Sequence, residues 1–162
     1  MPDRSRPSEG SWLAEALATG RLQRLRPSMP AAGDLVNRAR IHLSSAGLIA
    51  DNDPTLAMSA CHDAARQAIS AHMRATGYRA TAEAGAHRLV IEYASVVLAG
   101  VISEDDVVAL DELRRDRHTA EYGDFASRTI TAERVRDALA LAGRIVDAVA
   151  NELARKDSKR SL

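Results

Sequence analysis

The chain has 162 residues, a length that suits one domain, and its 22 basic and 22 acidic side chains leave a formal net charge of +0. That balance excludes wholesale electrostatic binding to nucleic acid or to a membrane surface, so any anion contact must be local. It is 46% hydrophobic but only 3% aromatic, so the core is built from Ala, Leu, Val and Ile, and small residues draw helices toward the short end of the usual ~8–10 Å spacing.

A single cysteine, Cys61, rules out an intrachain disulfide and reads as a buried structural residue in an Ala-rich helix. No Cys/His spacing fits a zinc site, and there is no Gly-rich phosphate loop, so neither a metal nor a cofactor is expected. No apolar run approaches the ~18 residues of a membrane span, and the N-terminal arginines are not followed by an apolar h-region. A cytoplasmic protein without a membrane partner is the expectation.

Residues 1–30 are punctuated by Pro2, Pro7, Pro27 and Pro30 and read as a flexible N-terminal arm. Within it Ser11–Leu17 spaces Trp12, Leu13, Ala16 and Leu17 for one short amphipathic helix capped by Ser11. Such a helix is too short to stand alone in water, so it docks on its own bundle, on a dimer mate or on a partner.

Residues 31–156 read as the bundle. Leu35, Ala39, Leu43 and Ala46 predict a first helix over 34–46, stopped by Gly47. Asp53 as N-cap and Pro54 at the first helical position open a second helix, which runs to Thr76 with Gly77 beyond it. Its apolar face is a small-residue seam: Ala57, Cys61, Ala64, Ala65, Ala68 and Ile69. His62 and His72 on this helix read as hydrogen-bonded structural residues more readily than as ligands. Thr81 is expected to cap a third helix to Ala99, with His87 near its start and Leu89, Val90, Tyr93, Val96 and Val97 inward. Ser103 caps a fourth, whose Glu104, Asp105 and Asp106 favour the positive end of the helix dipole. Phe125 is expected to plug a bundle end within a loop at 123–128. Thr131 caps the last helix to Lys156, with Val135, Ala138, Leu139, Ala142, Ile145, Val146, Val149 and Leu153 inward, and residues 157–162 form a basic, frayed tail. No strand signal stands out. The fold class is all-α, an antiparallel bundle of four to five helices with a short N-terminal helical arm and no sheet.

The dense polar cluster of the chain is Leu113–Phe125, at the end of the fourth helix, where Gly123 is expected to stop it. Arg114, His118 and Tyr122 are spaced i, i+4, i+8 and share a face, and Arg117 and Glu121 form a second row. About 200° of rotation separates Arg115 from Arg117, so the two point apart. Two readings stand. The arginines hold a phosphate or RNA. Alternatively they are a solvated, ion-paired face that complements the negative end of the helix dipole.

The cluster also resembles the signature of the HEPN superfamily of small helical bundles, an Arg, a polar residue, a short gap and a His. Arg117-His118 matches the opening pair. Tyr122 stands at the closing position in place of His, and Ala120-Glu121-Tyr122 is similar to a variant of bacterial HEPN proteins. Ala60–Ile69 is similar to the family's Ala-rich second helix, and Gly85-Ala86-His87 to a Gly-x-His before the third; the match covers about residues 32–155. The resemblance implies a homodimer whose motif helices share a cleft. It also implies metal-independent RNA cleavage, in which the 2′-hydroxyl attacks the neighbouring phosphate, with Arg117, His118 and Tyr122 as the catalytic set and Arg114 and Arg117 as the nucleic-acid contacts. An ordinary Tyr, with a pKa of ~10, is a poor base at pH 7, so His118 becomes the proton-handling candidate. The implied alternative is a non-catalytic interaction module, a homodimer or the partner of a nucleotidyltransferase in a toxin–antitoxin pair.

Overall fold

The computed structural model describes residues 7–81, 85–122 and 130–160, without the side chains of 118–122 and 160. Six helices are described: α1 (Glu9–Ala18), α2 (Met29–Ile49), α3 (Pro54–Thr76), α4 (Ala86–Val97), α5 (Glu104–Tyr122) and α6 (Ala132–Arg160). The helical bundle matches the sequence expectation. Among the described residues no helix is long and apolar enough to cross a membrane.

α3 is the central element, in contact with α2, α4, α5 and α6. Its seam explains why. Ala57, Cys61, Ala64, Ala65, Ala68 and Ile69 are all fully buried, and short side chains let four helices approach one. Asp53 accepts from the Leu56 amide at 2.9 Å to cap its start. Gly77, at φ 87°, closes its end in the left-handed region. The last turn holds a polar knot inside the core: the Tyr93 hydroxyl lies 2.9 Å from His72 Nδ1 and 3.2 Å from Thr76 Oγ1. Burial holds the His72 imidazole down to about 4, the nearby Lys156 adding to that and Glu152 opposing it. The structural reading of His72 is therefore the right one, as is that of Cys61, whose thiol burial pushes up to about 11.

Several boundaries differ from the sequence expectation. α1 begins two residues earlier than the expected cap, because Ser8 Oγ takes the Ser11 amide and Ser11 lies inside the helix. It packs on its own bundle, with Trp12 buried and edge-on to Tyr93 at 6.0 Å between ring centroids. α2 starts at Met29 with Ser28 as cap, so Pro30 opens the helix rather than closing the arm. It also runs through Gly47 to Ile49, since tertiary packing overrides a single glycine. α4 starts at Ala86, with Gly85 rather than Thr81 in the cap position. The Thr81 amide and hydroxyl both bond the Arg21 carbonyl instead. α6 continues past Lys156 to Arg160, with the Glu152 carboxylate bonding Arg155 and Lys156 along the helix. The expected stop at Gly123 and the plug at Phe125 lie outside the described residues.

The expectation of no sheet is corrected by a small one. β1 (Leu22–Arg24) pairs antiparallel with β2 (Tyr78–Ala80), in register Leu22↔Ala80. Three-residue strands are too short to show an alternating pattern. They pair because the chain leaving α3 lies against the segment that enters α2, where the Leu25 amide bonds Gly77 O at 2.9 Å and the Ser28 amide bonds Arg74 O at 3.1 Å.

Candidate functional site

Arg117 leaves α5 on the side that faces α3, and three elements meet there. Its Nη1 is 3.3 Å from His62 Nδ1 and 3.2 Å from Asp63 Oδ1. A guanidinium only donates, so the Arg117 contact is a hydrogen bond only in the tautomer that leaves Nδ1 bare; in the other tautomer Nδ1–H faces Asp63 Oδ1 at 3.7 Å. His62 is fully buried and stacks nearly parallel on His87 of α4, the ring centroids 5.5 Å apart and the planes 10° from each other. Gly85, at φ 101°, turns the chain into α4 and so puts His87 in the first turn, beside α3.

Arg66 completes the group one turn along α3 from His62 and Asp63. Its Nε lies 3.5 Å from Asp63 Oδ1 as an ion pair, but without hydrogen-bond geometry. That buried N–H therefore has no acceptor among the described residues. Asp63 is the carboxylate at the centre. Burial pushes its pKa up, but the His62 ring and the Arg117 and Arg66 guanidiniums outweigh that and hold it at about 2. His87 moves the other way from an ordinary histidine. Burial lowers its pKa, the neighbouring His62 ring and the Arg66 and Arg117 guanidiniums lower it further, and Asp63 opposes them. A lowered pKa keeps His87 neutral at pH 7, in the form that accepts a proton.

The fates of the arginines differ. Arg114 and Arg115 both pair with Asp111 on their own helix, and Arg115 is the most exposed of the three, with 67% of its side chain in solvent. Arg117 is 23% exposed and crosses to α3. The α5 backbone runs on through His118 to Tyr122, but those two side chains lie outside the described residues. Elsewhere α5 is held to α6 by an Asp116–Arg134 pair and by Arg144–Asp106 at 2.7 Å.

In the sequence Arg117 stands out from its own helix, whereas His62 reads as structural, Asp63 and Arg66 carry no role and His87 has only a place near a helix start. The usable signal was His62-Asp63 followed by Arg66, an i, i+1, i+4 set that turns one polar edge out of an Ala-rich face. Among the described residues no three His, Cys, Asp or Glu side chains are grouped to hold a metal.

Residues 32–153 match the sequence profile of the HEPN domain, a span that includes every residue of this cluster. No curated protein and no solved structure matches the chain significantly.

Proposed function

The chain belongs to the HEPN family, whose domains serve nucleotide- and RNA-related functions generally, and from that premise we propose that it is a metal-independent endoribonuclease with Arg117 as its phosphate-holding cation. The observation that carries the reading is the contact of Arg117 with His62 of α3, on which His87 of α4 stacks. Transfer of a phosphoryl group to the adjacent 2′-hydroxyl needs a base for the hydroxyl proton and a cation for the charge that grows on the non-bridging phosphoryl oxygens. Neutral His87 takes the proton. The 2′-oxygen forms its bond to phosphorus while the bond to the 5′-oxygen breaks, and the leaving oxygen is protonated, with His118 the candidate donor by its place in the motif. The products are a 2′,3′-cyclic phosphate and a 5′-hydroxyl. Tyr122 at the motif's closing position thus does not remove proton-transfer capacity, because α3 and α4 supply imidazoles.

The proposal includes a homodimer built partly on α5, which carries both the motif and the outward-facing Val108, 55% exposed. The test is purified protein incubated with total RNA, with and without EDTA, followed by end-group analysis. Cutting that survives EDTA and leaves cyclic phosphates supports the reading; intact RNA, or cutting lost with EDTA, rejects it.

The rival reading is a non-catalytic interaction module in which Arg117–Asp63 is a structural ion pair. It is favoured by the short Arg117–Asp63 distance and separated from the first by whether Arg117→Ala unfolds the protein.

A further inference from the structure

A cleft of about 560 Å³ opens beside the Arg117 cluster, between α3, the start of α4 and the β1–β2 pair, and it shares Arg66 and His87 with that cluster. From the structure we infer that this cleft is a nucleotide subsite, holding one phosphate and its base. The inference deepens the RNA-directed reading, on which it rests, by giving a strand a place to lie next to Arg117.

Three observations carry it. Arg66, Arg74, Arg79 and His87 all line the cleft, whereas its described lining contains no carboxylate, in a chain of zero net charge. Arg74 uses one N–H on the Arg26 carbonyl at 2.8 Å, and Arg79 uses one on Gln23 Oε1 at 2.6 Å. Neither pairs with an acid among the described residues, so each guanidinium keeps donors for an anion. The wall is also amphipathic: Leu35, Met73 and Val90 give an apolar surface, Tyr78 gives a ring, and Gln67 and Ser70 give hydrogen-bonding groups between them. Cations alone would suit any phosphate. Cations beside an apolar wall with an aromatic ring suit a phosphate that carries a base.

The same chemistry is offered by a nucleotide within RNA and by a free mononucleotide. The experiment is equilibrium binding of 5′-AMP and of a ten-residue single-stranded RNA to the intact protein. Wild type, Arg79→Glu, Gln67→Glu and Arg117→Ala are compared, the RNA carrying 2′-O-methyl groups so that it cannot be cut. Gln67→Glu is nearly isosteric and puts a negative charge in the cleft, so it decides the matter if Arg79→Glu fails to fold. The expected result is that each of these two variants weakens binding by about tenfold or more. Loss for the RNA alone identifies a strand subsite, and loss for AMP as well identifies a site that also takes free nucleotide. No binding of either probe, or binding unchanged by both cleft variants, overturns the inference. Because the readout is affinity, it stands apart from cleavage. Failure of wild type to cut RNA while the cleft variants still lose binding would reject the nuclease and retain the subsite.

Discussion

Asp63→Asn is the sharpest test of how the cluster is held. The substitution keeps the shape and removes the charge that faces Arg117 and Arg66 at 3.2 and 3.5 Å. A carboxyl held at about 2 in place of 3.8 corresponds to about 2.4 kcal/mol, at ~1.36 kcal/mol for each tenfold change in acid strength. The side chain is 26% exposed, and solvent screening trims that to about 1.5–2.4 kcal/mol at pH 7. The folded pKa is depressed, so the contribution is complete above the unfolded value near 3.8 and is lost as pH falls through about 2. At pH 3 the difference between wild type and variant should be about half its size at pH 7. Urea denaturation at both pH values measures it. A difference under about 0.5 kcal/mol at pH 7, or one that does not shrink at pH 3, would show that Asp63 is not held by these cations.

Other outcomes are open to the same assay. Gly77→Ala should cost about 2 kcal/mol or more, because a Cβ there meets Leu25 O at 2.8 Å at a φ of +87°. Tyr93→Phe should cost about 1–3 kcal/mol, since it removes the hydroxyl that His72 and Thr76 share. His72 has its pKa lowered to about 4 from 6.5, so the unfolded chain takes up the proton first. Stability should be complete above pH 6.5 and fall by about 2–3 kcal/mol on the way to pH 4, a fall that His72→Gln flattens. Trp12 is the chain's sole tryptophan, and its fluorescence should shift red on unfolding, reporting the release of α1 from Tyr93.

How much of this was legible in the sequence depends on the range over which each signal acts. The α3 cap at Asp53-Pro54, its end at Gly77 and its small-residue seam could all be read, because capping and periodicity are local. The same holds for Ser103 and Thr131, whose hydroxyls accept the Asp106 and Arg134 amides. Thr81 misled for a physical reason: a Thr before an apolar run offers a cap, but here its hydrogen bonds go to Arg21, a contact 60 residues distant in sequence. The β1–β2 pair and the Arg117–His62–His87 meeting have the same character. Each joins elements through tertiary packing, and nothing in the spacing of one helix encodes the residues that face it across an interface. The site was therefore half legible. Arg117 was found from its own helix, whereas His62, Asp63, Arg66 and His87 became visible only once α3 and α4 were placed against it.

The central claim, that Arg117 holds the reacting phosphate, is tested most directly by the RNA-cutting rates of Arg117→Ala, Arg117→Lys and Arg115→Ala beside wild type, with each variant's folding checked by circular dichroism. The expected result is a loss of about 10²–10³-fold for Arg117→Ala, in the range of a removed transition-state donor, partial recovery with Lys, and Arg115→Ala within about twofold of wild type. Equal losses at Arg115 and Arg117, or a folded Arg117→Ala protein that cuts as wild type does, would contradict it.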